Sequence, residues 1–154
     1  MPAPDPHIMI EALAYGVVGK RDEGLALLQP IVDQGPRETF ALLSALAEAT
    51  CKRARDRDGP DAAYDLVVEV ADGTVSSDLL PPDIRFAGQF ITSWGNRQFE
   101  TAHDLFWAMA EPSDRNGTSV LADSISAVYE LAVCAAREIV SDRVRQRVQD
   151  GGTQ

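Results

Sequence analysis

Apolar residues recur every three or four positions along most of the chain, which is the period of a helix. Ile10, Leu13, Ala14 and Val17 form a first stripe, entered at Asp5-Pro6 and stopped at Gly19. A second stripe holds Leu25, Leu28 and Val32, with Asp22 as its expected cap and Pro30 expected to kink or shorten it. After Gly35-Pro36 a third helix carries Phe40, Leu43, Ala47, Cys51 and Ala54. Leu42 and Leu46 widen its apolar face, so it should be central. Pro82-Asp83 opens a helix with Phe86, Phe90 and Trp94, closed by Gly95. Asn96 is the expected cap of the next, which bears Phe99, Ala102, Phe106 and Met109.

Two segments carry more specific expectations. From Thr118 to Val148 the apolar positions Leu121, Ile125, Val128, Ala132, Ala135 and Ile139 alternate steps of four and three, a heptad-like seam. Val140, Val144 and Val148 continue it with a drift, and an unbroken helix here would span about 46 Å. Between Pro60 and Asp72 the pattern is ambiguous. Leu66 to Val70 (LVVEV) has the β-branched content of a strand, whereas Asp61, Asp65, Glu69 and Asp72 stand at helical steps. The acidic spacing favours a linking helix over about 60–72. The total is an all-α chain of about seven helices, a helical bundle or repeat-like arrangement.

The chain also matches itself. Leu43 to Asp56 (LSALAEATCKRARD) and Ile125 to Glu138 (ISAVYELAVCAARE) share Ser44/Ser126, Ala45/Ala127, Glu48/Glu130, Ala54/Ala136 and Arg55/Arg137. Each is preceded by helix, glycine turn (Gly19 or Gly95), helix and proline (Pro36 or Pro112). This order is consistent with an internal duplication of a three-helix unit, over about 6–57 and 82–148, within one domain spanning 1–154. Ala12, Tyr15, Gly19, Leu28 and Pro36 in the first hairpin, and Phe99, Ala102, Phe106 and Met109 in the second, resemble the tetratricopeptide type of helical repeat. Gly24 stands where that family places alanine, and the second hairpin needs a different register around Gly95. The resemblance covers the two hairpins and leaves out the third helices and the linking segment. It implies a helical scaffold that offers a groove to a partner and has no chemistry of its own.

Composition narrows the function. The 154 residues carry 24 acids and 14 bases, for a net charge of −10. Both halves are acidic, at −6 for residues 1–76 and −4 for the rest. A basic face for nucleic acid is therefore not expected, and an anionic membrane surface would repel the chain. No apolar run reaches the length of a membrane span, and Met1 to Pro6 does not read as a signal peptide. Cys51 and Cys134 are far apart, have no zinc-type spacing and both lie on apolar helical patterns, so two buried thiols in the cytoplasm are expected. Only Lys20 and Lys52 among the bases are lysine, and this bias resembles a high-GC bacterial composition.

Three constellations are candidates for chemistry or binding. Glu100 and His103 form an E-x-x-H step, a carboxylate and an imidazole on one helical face, as in di-iron sites. The only other histidine is His7, so the ligand set is incomplete. Asp61, Asp65, Glu69 and Asp72 form an acidic ladder of the kind in which helical nucleotide pyrophosphohydrolases hold Mg²⁺, because hard cations want oxygen ligands. Glu130, Glu138 and Asp142, or Glu100 and Asp104, would be the facing acids. Trp107 shares a face with Glu100, His103, Asp104 and Glu111, and a tryptophan on an acidic face is a candidate anchor for a partner. No serine elbow or phosphate-binding loop is present.

The leading reading is a non-catalytic, cofactor-free protein–protein interaction or adaptor module, expected to form a homodimer through the apolar faces of the last helix. Its two faces, one from Leu121 to Ile139 and one through Tyr129 and Val133, need more neighbours than a small domain supplies. A Mg²⁺-dependent nucleotide pyrophosphohydrolase using the acidic ladder is the alternative. An acidic inhibitor or mimic is the third.

Overall fold

The computed structural model describes residues 5–58, 69–70, 73–74, 81–110 and 117–151. Six helices are present among them: α1 (Pro6–Val17), α2 (Arg21–Val32), α3 (Pro36–Asp58), α4 (Pro82–Gly95), α5 (Phe99–Ala110) and α6 (Gly117–Gly151). The chain is all-α, as its periodicity predicts. The linking segment differs locally. Glu69–Val70 (β1) pairs antiparallel with Gly73–Thr74 (β2), so Glu69 and Val70 are extended rather than helical; the rest of the helix expected over about 60–72 lies outside the described residues.

Two hairpins, α1–α2 and α4–α5, flank a central pair made by α3 and α6. α6 packs on α3, α4 and α1, while α3 also packs on α4 and α2. Leu42, Leu43, Leu46, Ala47 and Cys51 are buried on α3, which explains its two apolar faces. Opposite them, α6 buries Ile125, Val128, Tyr129, Ala132 and Val133. Phe86, Phe90, Ile91, Ala102 and Phe106 fill the space under the second hairpin.

Both hairpins turn in the same way. Val18 N–H donates to the Ala14 carbonyl, Gly19 N–H to Gly16 and Lys20 N–H to Tyr15. In the second turn Asn96 N–H donates to Thr92, Arg97 N–H to Trp94 and Gln98 N–H to Ser93. The left-handed residue that such a turn requires is Gly19 (φ 85°) in one and Arg97 (φ 61°) in the other. Gly95 therefore ends α4 but is not the counterpart of Gly19. Asn96 is the C-cap of α4, not an N-cap of α5.

Other local expectations shift by a residue or a turn. Asp5 does cap α1, accepting from His7 N–H at 2.9 Å. The face α1 buries, however, is Met9, Ala12 and Gly16, while Ile10 is exposed. Small residues win that face because α2 and Tyr129 lie directly against it. Asp22 sits inside the first turn of α2, whose cap residue Lys20 makes no side-chain bond. Pro30 falls in the last turn, so α2 continues to Val32.

Candidate functional site

The acidic face predicted on α5 exists in part. Glu100, His103 and Asp104 are exposed, and Trp107 is half-buried. His103 Nδ1 lies 3.6 Å from an Asp104 carboxylate oxygen. Its ring meets Phe40 edge-on at 5.6 Å and Trp107 at 5.9 Å, while Trp107 also abuts Phe106 at 5.3 Å. Trp107 thus spends much of its ring on packing within the molecule, leaving less of it for a partner. Glu111 lies outside the described residues.

The acidic ladder is not brought together among the described residues. Glu69 is in β1, so the helical register that aligned it does not hold, and Asp61, Asp65 and Asp72 lie outside the described residues. No three of His, Cys, Asp and Glu among the described residues cluster closely enough to hold a metal ion. Of the acids named as facing partners, Asp104 lies beside His103 and Asp142 beside Arg145, each pair on its own helix. Glu130 bonds Arg21 Nε at 2.5 Å, tying α6 to the start of α2.

A surface that sequence reasoning missed lies between α2 and α6. α2 packs on α1 and α3 and meets α6 at its start, where Arg21 pairs with Glu130 and Gly24 lies against the Tyr129 hydroxyl; beyond that a gap opens between the two helices. The gap is a half-open groove of about 420 Å³ with apolar walls: Leu25, Leu28 and Val32 from α2, and Leu121, Ala122 and Ile125 from α6. Gln29, Asp33 and Ser126 add polar groups at its edge. Gln29 Nε2 donates to the Asp33 carboxylate at 2.8 Å, which holds an acid at the rim. The apolar stripe of α2 is visible in sequence, yet it reads as core. Only Leu28 is fully buried; Leu25 and Val32 are half-covered.

The second surface missed is the far end of α6. Tyr129 and Val133, read above as a face needing a second subunit, are covered from within the chain by α1. The face left bare is Val140, Val144 and Val148, at 46%, 54% and 69% exposure. These residues do not continue the buried seam, because α6 outruns the helices beside it. Arg143, Arg145 and Arg147 on this end are all exposed. Cys134 is also exposed, contrary to its apolar context, while Cys51 is buried as expected.

No family model, no curated protein and no solved structure matches the chain. No helix among the described residues is long and apolar enough to cross a membrane.

Proposed function

We propose that the chain is a non-catalytic helical interaction module that receives an apolar helical segment of a protein partner in the α2/α6 groove. The observation that carries this reading is the groove itself. An apolar cleft with a few polar groups at its edge, between two helices that meet near the start of α2 and leave a gap beyond it, suits a helix laid in a groove. The scaffold on either side is fixed by the two hairpins, and such rigidity lowers the cost of ordering on binding. Two thiols with no partner in each other suit a reducing compartment, and we place the module in the cytoplasm.

A photo-crosslinking amino acid at Ala122, an exposed position of the groove wall, tests the reading in the native host. The expected result is one discrete crosslinked protein, with none from the same probe at exposed Glu11 on α1. Equal background from both positions overturns it.

We also infer that residues of about 6–57 and 82–148 are two copies of one three-helix unit. The matched turn bonds support it. So do two matched arginines: Arg55 Nη2 donates to the Gly95 carbonyl at 3.4 Å, and Arg137 Nη2 to the Gly16 carbonyl at 2.9 Å. Each third helix caps the end of the other unit's first helix.

A further inference from the structure

We infer that the occupant of the α2/α6 groove is the valine-bearing end of α6 from a second copy of this chain; this rests on the groove being an interaction site. The stripe and the groove agree in shape. Val140 to Val148 spans about 12 Å of helix at ~1.5 Å per residue. The α2 wall from Leu25 to Val32 runs about 10 Å by the same measure. An i, i+4, i+8 apolar stripe is what a helix presents to such a cleft.

Charge decides between the ways two copies could meet. At about 100° per residue, Arg147 stands about 60° from the Val144 direction, and Arg143 and Arg145 about 100° to either side. Packing the stripe against the same stripe of another copy sets guanidinium against guanidinium along the seam. The groove offers the opposite sign. Asp33 stands at its rim, and Asp123, next to Ala122, is exposed. The contrast extends to the whole molecule. Residues 137–150 carry four arginines and three acids, whereas the remainder carries 21 acids and ten bases. The α6 end is the basic projection of an acidic body, so stripe-to-groove contact is favoured and stripe-to-stripe contact is opposed.

The contact is small, which places its affinity in the micromolar range and makes it salt-sensitive. Sedimentation of the full chain from about 5 to about 500 µM, at about 50 mM salt, reads it directly. The expected result is concentration-dependent association that recedes at about 500 mM salt. Two substitutions at exposed positions separate the halves of the contact: Ala122→Trp fills the groove and Val144→Ser breaks the stripe. Each variant alone should raise the dissociation constant at least tenfold with an unchanged circular dichroism spectrum. Mixing the two should restore a 1:1 complex, because one retains the stripe and the other the groove. A wild-type chain that stays monomeric throughout, variants that associate as well as wild type, or a mixture that stays monomeric overturns the inference. If the wild type is monomeric yet the Ala122 probe captures a different protein, the groove reading stands and only its occupant is wrong. If the probe captures nothing either, both fall.

Discussion

The Tyr129 hydroxyl of α6 donates to the Ala12 carbonyl of α1 at 2.5 Å, joining positions 117 residues apart in a buried site. The bond fits only because Gly24 on α2 has no side chain. A Cβ there would stand 2.0 Å from the Tyr129 hydroxyl oxygen and 2.6 Å from the Ala12 carbonyl. A tyrosine from another helix thus occupies the space that any side chain at position 24 would need.

Gly24→Ala is therefore expected to destabilise the fold by about 1–3 kcal/mol through overpacking. Helix propensity alone predicts a gain of about 1 kcal/mol, and sterics should win. Tyr129→Phe should cost about 1–2 kcal/mol through the lost buried hydrogen bond. In that background Gly24→Ala should be milder, because the hydroxyl contact at 2.0 Å is gone and only the Ala12 carbonyl at 2.6 Å and the ring Cζ at 3.0 Å still oppose the added methyl. Urea denaturation of the four proteins measures the coupling, and strict additivity would contradict this account.

The two hairpin turns predict opposite effects from opposite changes. Arg97 occupies the left-handed region at φ 61°, where a β-carbon is unfavourable. Arg97→Gly should stabilise by about 0.5–1 kcal/mol. Gly19 holds the same place at φ 85°, and an added Cβ there would touch nothing within 4 Å. Gly19→Ala should cost about 1 kcal/mol from backbone strain alone. Thermal midpoints of both variants, beside wild type, provide the check.

The helices were legible because their punctuation is local. Asp5-Pro6, Gly35-Pro36, Pro82 and Gly95 all lie at element ends, where caps and missing donors act over a single turn. Long-range relations left weaker traces. Nothing in the first stripe distinguishes Ile10 from Met9 until α2 and Tyr129 are placed against Ala12 and Gly16. Arg97 gives no sequence sign of a left-handed turn, since only the matched bonds around it reveal the role. The groove and the bare valines depend on where helices stop beside each other. Leu25 and Val144 both look like core residues, and each becomes surface because a neighbour ends or stands away. On α5 the helical period leaves Glu100, His103 and Asp104 exposed on one helix. It could not show that Trp107 would pack on Phe106.

The matched arginines carry a graded prediction. Arg55 is mostly shielded, bonds the Glu48 carboxylate and caps Gly95; Glu48 also accepts from Trp94 Nε1 at 2.8 Å. Arg55→Ala removes one member of this network and should cost about 1–2 kcal/mol. Arg137 is more exposed and caps Gly16 without such a network, so Arg137→Ala should cost about 0.5–1 kcal/mol. For a chain of this size each kcal/mol lowers the melting temperature by about 2–4 °C. Equal losses at the two sites would show that the Glu48–Trp94 network adds nothing.

Alkaline pH tests the buried thiol. Burial, with Glu48 nearby and Arg55 opposing, pushes Cys51 up from its ordinary 9.0 to about 11. Its thiol faces the Ile91 carbonyl at 3.7 Å. The unfolded chain releases this proton near 9, and the folded chain holds it to about 11. The folded state is then favoured in full below pH 9 and loses that advantage as pH rises from 9 to 11. The loss should approach about 3 kcal/mol, at about 1.4 kcal/mol per pH unit over that range. Burial also raises Tyr129, opposed by a Gly16 backbone bond and by Arg21, so a second loss follows above the ordinary tyrosine value of 10.0. Cys51→Ala should flatten the stability curve between pH 9 and 11 while lowering it at pH 7 by the cost of a small cavity. Tyr129→Phe should flatten it only above about 10. Guanidinium denaturation at pH 7, 9, 10 and 11 separates the two groups. A Cys51→Ala curve parallel to wild type would place the thiol outside the coupling between protonation and folding.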